Sequence, residues 1–240
     1  MIRDFINRIK GQQGILDGIL EGMTDCHCHL LPNVDDGFKI EEKTLTALAY
    51  QEDLGVKQIW LTPHMMLDYP NNIPANLRPK FDQLKQAYKG SIELFLGGEY
   101  MLDKGFEKHL ASQDLLCFIN NQLLVETSYL APPLNYKELI FKLKTQGYSP
   151  LLAHPERYLY LKKEDYITYK EEGYSFQLNL MSLAGVYGEE SMKKAKWLLE
   201  NEMYSYVGTD MHRLGIWQRS LTRILLNRKQ KKNLAKILAI

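Results

Sequence analysis

Seven short runs of apolar, β-branched and aromatic residues recur along this 240-residue chain, and their spacing leaves few folds open. They are MTDCHCH (23–29), KQIWLTPH (57–64), SIELFLGGE (91–99), NQLLVETS (121–128), SPLLAHPE (149–156), SFQLNL (175–180) and YSYVGTDMH (204–212). Each is too short for a helix of this class and reads as a buried strand. Between them lie stretches with helical spacing, KIEEKTLTALAYQEDLG, LRPKFDQLKQAYKG, NYKELIFKLKTQG, KEDYITYKEEG and EESMKKAKWLLENE, several ending in the glycine expected just past a helix. Repeated strand, helix and strand is the pattern of parallel βαβ units. The expectation is an α/β fold, a distorted seven-stranded TIM-like (β/α) barrel in a single domain. No linker divides the chain. Residues 1–22 precede the first run and read as an amphipathic helical extension, leaving 23–240 as the domain. The basic C-terminal LLNRKQKKNLAKILAI reads as a packing helix with a solvated face.

The polar residues then fall in a pattern. Nearly every run ends in a side chain able to bind a metal: His27 and His29, His64, Glu99, Glu126, His154, and Asp210 with His212. Only the sixth run lacks one. In parallel barrels the C-terminal strand ends share one face, which carries the active site. Each residue alone has an ordinary explanation: a Glu after GlyGly as a helix-start neighbour, a His before Pro as a hydrogen-bonded core residue, acids before Gly37 as a solvated turn. Jointly they do not, because five of the six histidines stand at run ends and only His109 reads as a surface residue. Burying such groups together without a cation costs several kcal/mol per unpaired charge. His27 and His29, two apart on a strand, present both rings to one side. Asp35 and Asp36 follow in a turn that brings a carboxylate back over the strand end.

Imidazole and carboxylate without thiolate suit manganese, iron or zinc ions in a hydrolytic cluster, where carboxylates bridge ions about 3.5 to 4 Å apart. Composition narrows the rest. A net charge of +1 gives no field for gathering nucleic acid, and no segment is apolar enough to span a membrane. Three cysteines, an odd number, fit a reducing cytoplasm, with Cys26 and Cys28 expected together on the face away from the histidines. None is followed six positions later by arginine, which sets aside cysteine-based phosphatase chemistry, and no GxSxG, Walker A or GxGxxG segment occurs.

The order HxH, Asp, His, Glu, Glu, His and DxH resembles the polymerase-and-histidinol-phosphatase (PHP) family. Within it, DCHCHLLPNVDDG, AHPERY and TDMH resemble the bacterial manganese-dependent tyrosine-protein phosphatases of capsule and exopolysaccharide systems. The resemblance implies three divalent ions, manganese first. His27, His29, Glu99 and Asp210 would hold one, Glu99, Glu126 and His154 a second, and His64, His212 and Asp36, preferred over Asp35, a third. It implies catalytic roles for Arg157 on the phosphoryl group, for Asp210, and for His212 as a proton source. The implied reaction is hydrolysis of phosphotyrosine by metal-activated water on a protein partner, a bacterial tyrosine kinase. The rival inside the family is a histidinol-phosphate or other small phosphomonoester phosphatase. Outside it stand a metal-dependent amidohydrolase or deoxyribonuclease and a non-catalytic subunit. Cys28 departs from the family's usual serine, and Arg213 and Arg219 are as well explained as surface residues.

Overall fold

The computed structural model describes residues 18–238, so most of the expected N-terminal extension lies outside the described residues. Each of the seven runs holds a strand, and two runs are broken. The strands are β1 (Thr24–Cys28), β2 (Gln58–Leu61), β3 (His64–Met65), β4 (Glu93–Leu96), β5 (Glu99–Met101), β6 (Gln122–Glu126), β7 (Ser149–Ala153), β8 (Ser175–Asn179) and β9 (Tyr206–Gly208). All pair in parallel, as a three-stranded sheet in the order β1-β2-β4 and a six-stranded sheet in the order β3-β5-β6-β7-β8-β9.

The breaks have local causes. Pro63, between β2 and β3, has no N–H to give the ladder, and Gly97-Gly98 interrupts the next run between β4 and β5. The sheets therefore do not form the continuous seven-stranded ladder expected of a regular barrel. The outer strands β1 and β9 meet through one isolated bridge, Cys28 to Met211, with hydrogen bonds from Asp210 N to His27 O (2.7 Å) and from His29 N to Met211 O (3.2 Å).

Helices follow the strands, among them α1 (Glu41–Asp53), α2 (Pro74–Ala87), α3 (Phe106–Ser112), α4 (Tyr136–Thr145), α5 (Lys163–Glu171), α6 (Leu180–Leu183), α7 (Glu189–Glu200), α8 (Leu214–Leu221) and the basic α9 (Arg228–Leu238). The glycines expected past α1, α4 and α5 are Gly55, Gly147 and Gly173, at φ of 90°, 85° and 84°, where a Cβ would be strained. The helices bury their apolar stripes in the main core, as α7 does with Ala195, Leu198 and Leu199. Each fully buried leucine contributes about 1.5–3 kcal/mol.

The inner face is different. A small cluster of Cys26, Phe118, Leu124, Leu151 and Ala153, packed with Trp60 and Tyr206, occupies it. Leu124 and Glu126 are two apart on β6 and share that face, so polar residues take over toward the C-terminal strand ends. The two cysteines do not share a face as expected: Cys26 joins this inner cluster and Cys28 the main core. β1 carries one extra residue against β2, with Asp25 opposite Ile59 but Cys28 opposite Leu61. That bulge turns Asp25 toward α1 and His27 toward the inner face.

Candidate metal centre

The structure brings all nine expected ligands to the C-terminal strand ends. Glu99, fully buried at the start of β5, is the hub. One of its oxygens, Oε2, lies 3.2 Å from His27 Nε2, 3.3 Å from His29 Nε2 and 3.0 Å from His64 Nδ1, and the other, Oε1, lies 3.0 Å from His154 Nε2. Asp210 Oδ1 adds 3.4 Å and 3.3 Å contacts to His27 and His29 Nε2. Glu126 Oε1 is 3.1 Å from His64 Nδ1, while its Oε2 is 3.9 Å from His154. Asp36 Oδ1 lies 3.4 Å from His64 Nε2 and 3.2 Å from His212 Nε2. Four groups have donor atoms within 4.8 Å of one another: His29-Asp36-His64-His212, His27-Glu99-His154, His27-His29-Asp210 and His64-Glu99-Glu126. These sets overlap more than the expected assignment, with His29 reaching the Asp36 group and His64 the Glu126 group.

Hydrogen bonds settle which ring nitrogens face inward. Gln177 Oε1 accepts from His27 Nδ1 (2.9 Å), Asp35 Oδ2 from His29 Nδ1 (2.7 Å) and the Asp210 carbonyl from His212 Nδ1 (2.9 Å). With Nδ1 donating, each neutral ring aims its Nε2 lone pair into the cluster. The Nε2 atoms of His27 and His29 then face each other at 3.2 Å with two carboxylates around them. Such an arrangement is repulsive unless protons or a cation sit between. Buried His64 Nδ1, Glu99 Oε2 and Glu126 Oε1 also have no well-formed hydrogen bond. The donor set fits a divalent metal on both counts.

Without a cation the charges lean on one another. Burial would raise the Glu99 carboxyl, but the imidazoles of His27 and His64 hold it well below the usual range. Burial likewise opposes the charged form of His27, and Glu99 with Asp210 overrides it and raises its pKa. Glu126 goes the other way, pushed up by burial and by the like charge of Glu99. Asp210, though buried, is held down by His27, His29 and Arg157.

An open pocket of about 320 Å³ exposes this cluster, walled by Tyr129, Met181, Val186, Tyr187 and Ile216. Arg157, from the short 3-10 turn Pro155–Arg157, stands at its edge. Its Nη1 donates to Asp210 Oδ2 at 2.7 Å and its Nη2 to the Tyr129 hydroxyl at 2.6 Å. The guanidinium lies 4.4 Å and 4.0 Å from the ring centres of Tyr129 and Tyr187, which hold its plane. Arg213 also borders the pocket, whereas Arg219 is exposed on α8.

Sequence reading missed the groups that orient the expected ligands. Asp35 supports His29, and its Oδ2 also accepts from His64 N at 3.1 Å. The sixth run, empty of ligands, supplies Gln177 to His27 and to His154 N (3.2 Å), and Asn179, whose Nδ2 donates to Asp210 Oδ2 at 2.8 Å. Polar residues two apart in the otherwise apolar SFQLNL were the available signal. Asp25 accepts from Thr209 N (2.8 Å), Thr209 Oγ1 (2.7 Å) and Gln51 Nε2 (3.4 Å), and Gln51 in turn accepts from buried Trp217 Nε1 at 2.9 Å. Burial pushes Asp25 up to about 6, against the hydrogen bonds from Thr209. His109, expected at the surface, is half-buried, edge-on to Tyr100 at 5.4 Å. Two of the expected ligands also sit on strained backbone: His154 has φ of 34° and Asp210 φ of 49°.

The family described as capsular polysaccharide synthesis, CpsB/CapC, matches residues 23–237. The chain belongs to the CpsB/CapC family. Among CpsB/CapC relatives, it is 31% identical to the tyrosine-protein phosphatase YwqE of Bacillus subtilis over 196 residues, covering 79% of this chain and 77% of that one. It is 26% identical over 207 residues to the tyrosine-protein phosphatase CpsB of Streptococcus pneumoniae, covering 80% and 84%. A chain from the crystal structures of YwqE from Bacillus subtilis and CpsB from Streptococcus pneumoniae, described as unique metal-dependent tyrosine phosphatases, superposes with a TM-score of 0.72 at 25% identity, covering 91% of this chain and 96% of that one.

Proposed function

We propose that this CpsB/CapC-family chain is a metal-dependent protein-tyrosine phosphatase holding three divalent ions, manganese first. The observation that carries the reading is the convergence of four imidazoles and Arg157 on the buried carboxylates of Glu99 and Asp210. The proposed ligands are His27, His29, Glu99 and Asp210 for one ion, Glu99, Glu126 and His154 for a second, and His64, His212 and Asp36 for a third, with Glu99 shared. Bound divalent ions supply Lewis acidity and lower the pKa of water from 15.7 toward about 7. The chain's own residues do the rest. Arg157 presents a flat donor fork to the phosphoryl oxygens, where charge spreads during transfer. Asp210 holds that fork in place, and His212 at the pocket wall, its Nε2 given to the third ion in this reading, would position the water that protonates the departing oxygen. A phenol leaving group with a pKa of about 10 asks little of such an acid.

The substrate in this reading is a phosphotyrosine protein, a bacterial tyrosine kinase of a capsule or exopolysaccharide system. Free buried cysteines support a cytoplasmic setting, and no described helix is long and apolar enough to cross a membrane. The reading takes 23–240 as one domain after an extension at 1–22, and the Cys28–Met211 bridge supports seven strand stations arranged as a distorted barrel.

The test joins metal analysis of the purified protein to steady-state rates on a phosphotyrosine peptide and on histidinol phosphate, in wild type and His154→Ala. The expected result is bound transition metal, preference for the peptide, and near-complete loss of turnover in the variant with its circular dichroism retained. Full activity in His154→Ala, or a preference for histidinol phosphate, would overturn the assignment.

A further inference from the structure

A second cleft opens beside the metal pocket. It has a volume of about 440 Å³, is lined by Phe38, Lys39, Lys43 and Arg213 among others, and shares Asp36, His212 and Arg213 with the first pocket. We propose that this cleft binds an anionic side chain of the substrate polypeptide, a carboxylate or a second phosphotyrosine close in sequence to the one being hydrolysed. The inference rests on the phosphatase reading above and adds what the enzyme selects around the phosphotyrosine.

Charge argues for it. The cleft has three cationic side chains and one acid, and that acid, Asp36, is turned to His64 and His212 at 3.4 Å and 3.2 Å. Lys39 is anchored, its Nζ donating to the Asp35 carbonyl. Lys43 and Arg213 are exposed and make no ion pair with any described residue. Elsewhere Arg78 pairs with Asp114, Lys142 with Glu107 and Glu138, Lys193 with Glu189 and Lys236 with Glu202, while other exposed lysines such as Lys57, Lys85 and Lys229 make no ion pair with a described residue either, so what sets Lys43 and Arg213 apart is their place beside the metal pocket. In a chain of net charge +1, unpaired cations at the rim of a phosphate-processing pocket form a local field of one sign. Buried Phe38 closes the cleft with an apolar surface, so an ion pair there is less hydrated than on an open face.

Geometry limits which part of the substrate can reach it. Both cavities are bordered by Asp36, His212 and Arg213, so they adjoin across those side chains. An extended peptide advances about 3.3–3.6 Å per residue. The anion therefore belongs to one of the few residues flanking the phosphotyrosine.

The experiment uses the full chain loaded with manganese. It compares kcat/KM for matched phosphotyrosine peptides carrying Glu, a second phosphotyrosine, Ala or Lys at the flanking positions, with p-nitrophenyl phosphate as the small substrate. Wild type is expected to favour the Glu and doubly phosphorylated peptides over the Ala peptide by about three- to tenfold, the range for one or two partly exposed ion pairs, and to disfavour Lys. Raising the salt concentration should shrink the preference. Lys43→Gln should lose much of it while hydrolysing p-nitrophenyl phosphate at the wild-type rate, and Lys43→Gln/Arg213→Gln should lose it on peptides altogether. A gain only with the second phosphotyrosine assigns the cleft to phosphate, and a gain with Glu assigns it to carboxylates. Hydrolysis without any preference, or a preference that survives the double substitution, overturns the cleft's role and leaves the phosphatase reading standing. No hydrolysis of any phosphotyrosine substrate overturns both.

Discussion

Arg157→Lys isolates what the guanidinium does beyond carrying a charge. Arginine spans Asp210 and Tyr129 with two nitrogens, at 2.7 Å and 2.6 Å, while its plane lies between two aromatic rings. A lysine ammonium keeps the charge but has neither the fork nor the plane, and its three donors radiate from a single nitrogen that Asp210 would already hold. A charge-assisted hydrogen bond to a phosphoryl oxygen is worth about 1.5–3 kcal/mol. At about 1.4 kcal/mol per tenfold, its loss lowers kcat/KM on a phosphotyrosine peptide by about 10- to 150-fold. Because charge on the phosphoryl oxygens is redistributed in the transition state, kcat should fall with kcat/KM rather than KM rising alone. The measurement is steady-state kinetics with metal content determined on the same preparation, which should match wild type because Arg157 is not among the proposed ligands. A variant within about threefold of wild type at full metal content would refute the bidentate argument, and lost metal would show that Arg157 acts through Asp210 instead.

Two further outcomes follow from packing and burial. Gly208, at the end of β9, has no room for a side chain: a Cβ there would lie 2.5 Å from His27 Cβ and 2.7 Å from Gln177 Nε2. Gly208→Ala should displace the His27 ring and destabilise by about 1–3 kcal/mol. A thermal melt should fall by roughly 2–4 °C per kcal/mol with at least tenfold less turnover, and an unchanged melt with full activity would contradict the close approach. Burial lowers the pKa of His109, with Asp103 opposing. The unfolded chain therefore takes up this proton first, and the His109 contribution to stability, complete above about pH 6.5, is lost as pH falls through the lower folded value. His109→Phe, which keeps a ring against Tyr100, should be less acid-sensitive across that window in chemical denaturation. Equal acid sensitivity in the two proteins would show that His109 is not protected from protonation.

The convergence of the candidate ligands was legible in the sequence because two independent periodicities marked them: strand runs recurring with helices between, and a donor at nearly every run end. Asp36 over Asp35 was legible only through resemblance. In the structure Asp35 lies under His29 with a 2.7 Å hydrogen bond and Asp36 faces His64 and His212, an arrangement that fits the proposed use of Asp36. What escaped was whatever depends on one residue of register. No local pattern marks the extra residue in β1, yet it separates Cys26 from Cys28 and sends Asp25 and His27 to opposite sides. The breaks at Pro63 and Gly97-Gly98 were printed in the sequence, but apolar continuity on either side concealed them. Gln177 and Asn179 were passed over, although two amides two apart in SFQLNL marked them, because an amide in a strand looks like an edge position until its partners are known. Tyr129 and Tyr187 escaped for the opposite reason: aromatic residues near an apolar run look like core.

The left-handed backbone at His154 and Asp210 sets the chain's stability against its chemistry. Glycine or asparagine at either position would relax the main chain and remove a proposed ligand in the same step. Heat tolerance bred into this protein by selecting survivors alone would therefore tend to erode the catalyst first, and any such programme would have to screen for turnover alongside melting.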